Sequence, residues 1–174
     1  MLKLRPFRPS DAAIILTWVK DEVAFRKWVA DRYDHYPITP EDMIIHYDVL
    51  RKSHCFYPMT AVDDSGVVGH LILRYTDEDK KTLRLGFIIV DDSKRSMRYG
   101  RAMVELTVKY GFDVLKADKI TLGVFENNEN AHCCYQAAGF RDIELERTET
   151  YSVLGEEWKC LEMELEQGVM RSEG

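Results

Sequence analysis

The stretch from Leu83 to Phe140 constrains the fold more than any other part of the chain. An apolar run, Gly86-Phe-Ile-Ile-Val90, has strand-like composition and leads into a basic turn and then an amphipathic helix that begins near Tyr99. The turn and the helix start carry Lys94, Arg95, Arg98 and Arg101. A solvated basic loop is one interpretation, but unpaired N–H groups and the helix dipole favour anions, and Gly100 lets a ligand approach the backbone. The segment therefore predicts a strand–turn–helix unit that binds a phosphorylated cofactor.

The composition indicates a single globular domain. The chain has 174 residues, of which 45% are hydrophobic and 31% charged, and a chain of this length can bury a full core. We expect one domain over residues 1–166 and a C-terminal tail over residues 167–174. The net charge of −6 argues against a nucleic-acid partner, because nucleic-acid binding needs a basic face, and it mildly favours a cationic substrate.

The hydrophobic pattern predicts an α+β fold. Predicted strands lie at residues 2–7, 56–62, 67–75, 83–90, 119–125, 140–150 and 158–165, and predicted helices at 11–19, 21–30, 40–52, 99–115, 129–138. Short connections between the strands from residue 56 to residue 90 indicate consecutive antiparallel pairing. We expect a mixed, largely antiparallel sheet of about seven strands with helices on both faces.

The N-terminus and the cysteines predict the cellular setting. Met1 leads directly into strand-like sequence without the apolar core of a signal peptide, so we expect a cytoplasmic protein without a membrane span. The cysteines lack CxxC spacing and lack a histidine at a metal-ligand interval, so we expect reduced, mostly buried thiols and neither a metal nor a disulfide. These cysteines are Cys55, Cys133, Cys134 and Cys160.

Two motifs in this order resemble the GNAT superfamily of N-acetyltransferases. The first, Arg95-Ser-Met-Arg98-Tyr-Gly100, lies where the family has Gln/Arg-x-x-Gly-x-Gly/Ala after its fourth strand. The second, Asn128-x-x-Ala131-x-x-x-Tyr135-x-x-x-Gly139-Phe140, has the spacing typical of bacterial members. The resemblance runs from about Leu2 to Leu165, and the overall pattern is similar to the branch of ribosomal-protein N-terminal, aminoglycoside 6'-N- and spermidine acetyltransferases.

The resemblance implies acetyl-CoA as cosubstrate and indicates which residues bind it. The fourth strand of the family diverges from the fifth, so backbone groups of Ile88, Ile89 and Val90 would bond the pantetheine arm, and a backbone N–H near Val90 would polarise the thioester carbonyl. The side chain of Asn128 would also bond the pantetheine. The remaining cofactor-binding residues form the turn and the helix start and are Arg95, Ser96, Met97, Arg98, Tyr99, Gly100 and Arg101.

Tyr135 matches the family's general acid. Attack of a primary amine on the thioester expels a thiolate, which a phenol within hydrogen-bond reach can protonate. The alternative for Tyr135 is an aromatic core residue. We expect direct attack in a ternary complex, because neither Cys133 nor Cys134 has an obvious activating base for an acetyl-cysteine route. The acceptor would be a small-molecule amine or a protein N-terminus.

The sequence departs from the family pattern at three positions. Arg84 and Gly123 lie where many members have the carboxylate that acts as general base. The general base is therefore unassigned, and the candidates are Glu126, Asp31, Glu149, His70 and a water chain. These missing carboxylates leave a catalytically silent acyl-CoA-binding or regulatory module as an alternative function. Arg98 replaces the first motif glycine, where it could add a phosphate contact or weaken cofactor binding.

The acceptor pocket of this family is built from the first two helices, their loop and the last two strands. In this chain those segments combine aromatic and acidic residues, which would suit a cationic acceptor with an apolar or sugar portion. Each aromatic residue has core packing as its alternative. A homodimer is possible, since dimers are frequent in the superfamily. The aromatic residues are Trp18, Phe25, Trp28, Tyr33, His35, Tyr36, Tyr151 and Trp158.

Overall fold

The computed structural model describes residues 1–53 and 55–170, apart from the side chains of Ser96, Val169 and Met170. Three helices follow the first strand, three strands come next, and one long helix lies in the middle of the chain. The strands are β1 Lys3–Pro6, β2 Phe56–Asp63, β3 Gly66–Tyr75, β4 Thr82–Val90, β5 Lys119–Phe125, β6 Arg141–Ile143, β7 Glu149–Val153 and β8 Glu156–Glu166. The helices are α1 Asp11–Leu16, α2 Glu22–Val29, α3 Pro40–Arg51, α4 Tyr99–Asp113, α5 Glu129–Ala137 and α6 Gln167–Met170, with a 3₁₀ helix at Asp92–Met97.

The strands of the described chain form one mixed sheet, as predicted. The order is β1-β2-β3-β4-β5-β8-β6, and β7 also pairs with β8. β4 and β5 are parallel, because α4 carries the chain back across the sheet between them, and the other pairs are antiparallel. The fold is therefore α+β with a largely antiparallel sheet.

The single strand predicted for residues 140–150 is wrong. β6 pairs with residues 162–164 of β8, β7 pairs with residues 156–160, and residues 144–148 between them form no strand. That intervening segment is polar except for Leu145, whose side chain is 46% exposed, so the sheet gains no burial from pairing it. The described residues consequently form eight strands where about seven were expected.

Helices cover both faces of the sheet, which confirms that prediction. Neighbouring residues of a strand point to opposite faces, so Leu71 packs under α4 and α5 whereas Ile72 packs under α1 to α3. The core on the α4 side includes Leu71, Leu83, Val104, Val108, Ile120, Leu122 and Tyr135. The core on the other side includes Phe7, Ile15, Phe25, Val29, Met43, Tyr47 and Ile72.

Capping residues set the helix boundaries. α1 ends at Leu16, so the prediction that it continues through Val19 is wrong. The physical reason is that the Asp21 side chain accepts a hydrogen bond from the backbone N–H of Ala24 and starts α2 separately. A capping box between Thr39 and Asp42 starts α3 where the sequence predicted.

The chain continues past the last strand into a short helix. β8 ends at Glu166, and α6 follows at Gln167–Met170. The division into a domain at 1–166 and a tail at 167–174 stays a prediction, and residues 171–174 of that tail lie outside the described residues. Within the described chain, each helix is too short or too polar to cross a membrane.

Candidate active site

β4 and β5 separate partway along their length. Their ladder joins only Thr82 with Lys119, Leu83 with Ile120, and Arg84 with Thr121. β4 nevertheless continues to Val90 and β5 to Phe125. The edge of β4 beyond Arg84 therefore has no strand partner among the described residues, and this unpaired segment contains the predicted pantetheine-binding residues Ile88, Ile89 and Val90.

A β-bulge bends β4 at the point of separation. On the β3 side, Ile72 pairs with Gly86 and His70 pairs with Ile89, so two residues of β4 lie opposite Leu71. Phe87 within the bulge has a left-handed φ of 49°. Bulges bend a strand and increase its twist. The bulge thus explains why β4 leaves β5 at this level.

The predicted anion-binding turn is a 3₁₀ helix that joins β4 to α4. Arg98 links the two helices in a left-handed conformation, with φ 59° and ψ 21°. This conformation favours glycine, which gives a physical reason for a glycine at this position of the motif. Because the Arg98 side chain makes no capping hydrogen bond, the first N–H groups of α4 stay available to a ligand.

Three of the four predicted cations are paired within the chain. The Lys94 ammonium lies 3.6 Å from an Asp63 carboxylate oxygen, Arg95 lies 2.7 Å from Asp92, and Arg101 lies 2.7 Å from Glu105. No ion pair joins Arg98 to another described residue. The interpretation of the turn as four available charges therefore needs correction: of the four, only the Arg98 charge is unpaired among the described residues, beside the uncapped start of α4. The Met97 side chain is exposed, and that of Ser96 lies outside the described set.

The β2–β3 hairpin supports the turn from below. The Asp63 carboxylate accepts hydrogen bonds from the Ser65 backbone and hydroxyl and from the Tyr99 hydroxyl at 2.8 Å. These bonds, led by the Ser65 hydroxyl, hold the pKa of Asp63 far below its usual range. The Tyr99 side chain is thus an anchor of the first turn of α4, and only its backbone is free to bind a cofactor.

α5 brings the second motif next to this turn. Gly100 lies between β4 and α5, since a Cβ at this position would be 3.8 Å from Val90 and 3.5 Å from the Cys134 sulfur. Asn128 caps α5 in sequence, but its side chain makes no capping hydrogen bond and is half-buried. The structure therefore brings the two sequence motifs together at the end of β4.

Tyr135 lies in the core between the sheet and α4. Its side chain is 7% exposed, and no hydrogen bond joins its hydroxyl to another described residue. Burial raises the pKa of Tyr135 well above its ordinary value. The phenol therefore stays protonated at neutral and mildly alkaline pH, as an acid must.

An ion pair occupies the position of the missing carboxylates. Arg84 donates to both carboxylate oxygens of Glu162, at 2.6 and 3.2 Å, and to the Thr121 hydroxyl at 3.2 Å. A Cβ on Gly123 would lie 2.8 Å from the Arg84 Nη2 atom, so this glycine makes room for the guanidinium. Burial alone would lower the pKa of Arg84, but its hydrogen bonds with Glu162 and the charge of that carboxylate outweigh burial and raise the pKa.

The role of Glu162 was not predictable from the sequence. No motif marks β8, and the residue becomes visible only through the register that places it opposite Gly123. The face around it is open, because Gly123 is exposed although β5 lies inside the sheet.

The other candidate bases lie in different surroundings. His70 is fully buried, its Nε2 lies 2.6 Å from the Tyr47 hydroxyl, and burial lowers the pKa of His70 to about 3. Such a group does not take a proton from an ammonium at neutral pH. Glu149 accepts a hydrogen bond from the Tyr151 hydroxyl at 2.9 Å, and Asp31 and Glu126 are exposed.

Six of the eight aromatic residues predicted for the acceptor side fall into two groups, whereas His35 is exposed and Tyr36 is half-buried. Trp18, Phe25, Trp28 and Tyr33 are buried in the core under α1 to α3, so their alternative interpretation as core residues is correct. Tyr151, Trp158 and Phe125 form a smaller cluster on β5, β7 and β8. The Trp28 indole nitrogen is buried and has no hydrogen-bond partner among the described residues.

The cysteines and the acidic residues form no further reactive centre. Cys133 is exposed and the other three cysteines are half-buried, so the prediction of mostly buried thiols is wrong, and all are free. Cys133 is exposed because it lies on the outer face of the short helix α5. Across residues 1–53 and 55–170, no group of three His, Cys, Asp or Glu side chains could hold a metal ion.

Comparisons with known proteins agree with this geometry. The model of the acetyltransferase (GNAT) family matches residues 22–140. A spermidine N-acetyltransferase from Vibrio cholerae in complex with CoA and spermine has a TM-score of 0.81 at 18% identity, over 97% of this chain and 96% of that chain. A spermidine/spermine N-acetyltransferase from Vibrio cholerae in complex with manganese ions has a TM-score of 0.76 at 17% identity, over 99% and 96%.

The divergent sheet and the family match together define an acetyltransferase. This chain belongs to the acetyltransferase (GNAT) family: it is an N-acetyltransferase, and acetyl-CoA is its cosubstrate. The residues present fit that molecule, since the β4 edge is unpaired, the start of α4 is uncapped, and Asn128 makes no capping bond.

Proposed function

We propose that this protein transfers an acetyl group from acetyl-CoA to a primary amine by direct attack in a ternary complex. One observation carries the proposal: β4 loses its β5 partner after Arg84 and then leads into the uncapped start of α4. An extended ligand arm can add to a free strand edge through main-chain hydrogen bonds. A phosphate group can bind the N–H groups of a helix start.

The cofactor-binding roles follow from these two features. Backbone groups of Ile88, Ile89 and Val90 bind the pantetheine arm, and the Asn128 amide adds a side-chain bond. The backbone from Arg95 to Arg101 receives the pyrophosphate, with the Arg98 guanidinium as the available charge. Acetyl-CoA supplies the thioester acetyl group at the end of this track.

Tyr135 acts as the general acid. Burial raises the pKa of Tyr135, so the phenol keeps its proton until a leaving thiolate needs it. The absence of a hydrogen bond to another described residue leaves its hydroxyl available for that role. The amine enters from the opposite face, through the opening at exposed Gly123.

Release of free CoA thiol across a panel of primary amines tests the proposed function. The panel includes small amines, peptides with free N-termini, and the polyamines spermidine and spermine, since the two Vibrio cholerae structures are described by those names. Turnover that depends on the amine supports the proposal. Tight CoA binding without turnover of any amine would instead support a catalytically silent acyl-CoA-binding module. The observation that favours this alternative is the Arg84–Glu162 ion pair at the position where many family members have the base.

A further inference from the structure

Two arginines lie directly opposite each other on the neighbouring strands β3 and β4. Arg74 of β3 pairs in register with Arg84 of β4, so both side chains point to the same side of the sheet. Like charges in such a pair destabilise a sheet. Arg74 is exposed, and neither an ion pair nor a side-chain hydrogen bond joins it to another described residue.

The surroundings show that this positive charge is not fully compensated. Glu162 neutralises Arg84, but no described carboxylate is within ion-pair distance of Arg74. Although Arg74 is exposed, partial desolvation by its neighbours and then the charges of Arg84 and Arg32 lower the pKa of Arg74. The Arg74 guanidinium is therefore unpaired among the described residues, although the carboxylates of Glu162 and Glu164 lie on the same face of the sheet.

The Arg84 guanidinium points toward the reaction site. Its Nη2 atom lies next to Gly123, two residues further along β5 than its ladder partner Thr121. This displacement corresponds to about 7 Å along the strand, toward the divergent segment. A guanidinium has five N–H donors, and the contacts with Glu162 and Thr121 use three of them. Donors therefore remain for a ligand at the opening.

We propose that Arg74 and Arg84 bind a carboxylate of the acceptor, so that the preferred acceptor is a small amine that also carries a carboxylate. The proposal deepens the proposed function and rests on it. Guanidinium groups match carboxylates in planar, bidentate hydrogen bonds. A polyamine would instead place an ammonium group beside the unpaired Arg74 guanidinium, which is unfavourable.

Matched acceptor pairs test the inference. Each pair contains an amino acid and its decarboxylated amine, such as lysine with cadaverine and ornithine with putrescine. The expected result is a kcat/KM for the carboxylated member that is about tenfold or more higher, as a charge-assisted hydrogen bond provides. In Arg74→Gln this ratio falls toward one. Arg141→Gln is the matched control, because Arg141 lies on the same face but pairs with Glu164 at 2.6 Å, and it keeps the ratio.

Two further readouts separate binding from folding and from catalysis. Arg74→Gln removes a like-charge pair, so its melting temperature does not fall, which excludes misfolding as the cause of a lost preference. Calorimetry with lysine and cadaverine in the presence of CoA measures acceptor binding without turnover, and lysine binds more tightly to the unmodified protein than to Arg74→Gln.

Equal or better use of cadaverine, or of spermidine, would overturn the inference while leaving the proposed function intact. An unchanged preference in Arg74→Gln would also overturn it. Failure of every amine to be acetylated would contradict the proposed function instead, and calorimetry would then decide the carboxylate inference by itself.

Discussion

Arg98 takes a backbone conformation that suits glycine, at a point where charge is useful. The left-handed region costs a non-glycine residue about 1–2 kcal/mol, and Arg98 has φ 59°. Since Lys94, Arg95 and Arg101 are paired within the chain, the Arg98 guanidinium is the charge that a bound diphosphate can use. An arginine at this position therefore costs backbone conformational energy but provides a positive charge that can attract a diphosphate.

Replacement of Arg98 by glycine separates these two effects. In Arg98→Gly the turn keeps its shape, so the melting temperature stays equal or rises, while CoA affinity falls by about tenfold because a charge-assisted hydrogen bond is lost. Calorimetry with CoA measures the affinity, and Arg95→Gln is the comparison, since Arg95 already pairs with Asp92. Unchanged affinity in Arg98→Gly would show that the backbone alone holds the phosphates.

Replacement of Tyr135 by phenylalanine tests the acid. Removal of the hydroxyl lowers kcat by about 100-fold or more, the usual contribution of a general acid, and leaves the KM for the amine nearly unchanged. Because burial raises the pKa of Tyr135, loss of its proton does not reduce the rate below about pH 10. Tyr57→Phe, on the same core but on β2, serves as control. A kcat within twofold of the unmodified enzyme would exclude Tyr135 as the acid.

Local sequence predicted the motif residues but not their partners. The order and spacing of Arg98, Asn128 and Tyr135 are visible in the sequence, and their elements came out as expected. Lys94 is paired with Asp63, which lies on a distant hairpin. That pairing depends on how the β2–β3 hairpin meets the turn, which residue spacing does not encode. The Asp92–Arg95 and Glu105–Arg101 pairs are three and four residues apart and were readable from the sequence.

At the scale of the elements, α4 contains two glycines with opposite surroundings. A Cβ at Gly111 would lie 2.9 Å from the Ile120 Cδ1 atom and 3.1 Å from the Leu83 Cδ1 atom, so the helix packs tightly on the sheet there. A Cβ at Gly100 would meet ordinary contact distances. Alanine gains about 1 kcal/mol of helix propensity at either position.

The two alanine substitutions therefore differ in stability. Overpacking costs about 1–3 kcal/mol, so Gly111→Ala should be less stable than Gly100→Ala by about that amount. Urea unfolding of both variants measures the difference. Equal stabilities would mean that α4 is held less closely against β4 and β5 than the structure shows.

Ion pairs at the start of α3 make a pH-dependent contribution to the free energy of unfolding. His35 Nδ1 lies 2.6 Å from Asp34 and Nε2 lies 3.3 Å from Asp42, the capping-box residue. These bonds, the one with Asp34 first, raise the pKa of His35, while the pKa values of Asp34 and Asp42 are lowered. Because the pKa of His35 is higher in the folded state than in the unfolded state, its stabilising contribution is fully present at a pH below the unfolded-state pKa. The contribution is lost as the pH rises through the folded-state pKa.

His35→Gln tests this sign. Unfolding free energies are compared from about pH 5.5 to about pH 8.5, on either side of the ordinary histidine value. The unmodified protein is more stable than the variant at the acidic end, and the difference shrinks at the alkaline end. All three groups are exposed, so the effect is small and decreases with added salt. A difference that grows with pH would contradict the assignment.

Strand boundaries were predicted well where one face is buried and poorly where it is not. β5 is found at Lys119–Phe125, as its apolar alternation indicated. The segment after Phe140 lacks that alternation, and its division into β6 and β7 depends on the long strand β8. The local hydrophobic pattern does not show that one strand, β8, pairs with both β6 and β7.

At the scale of the whole molecule, the separation of β4 from β5 creates the site. The family resemblance predicted this divergence, and the ladder ends at Arg84 and Thr121. The charge at that point was not predictable, because Arg84, Gly123 and Glu162 come from three strands and meet only in the folded sheet. Sequence therefore predicted the cofactor side better than the acceptor side.

Amide hydrogen exchange with and without CoA tests most directly whether the free edge of β4 and the start of α4 bind the cofactor. We expect saturable binding in which exchange slows in peptides covering residues 86–101 and around Asn128, while the hairpin between β7 and β8 changes little. Saturable binding with protection confined to other parts of the chain, or no CoA-dependent protection at saturating CoA, would contradict that expectation.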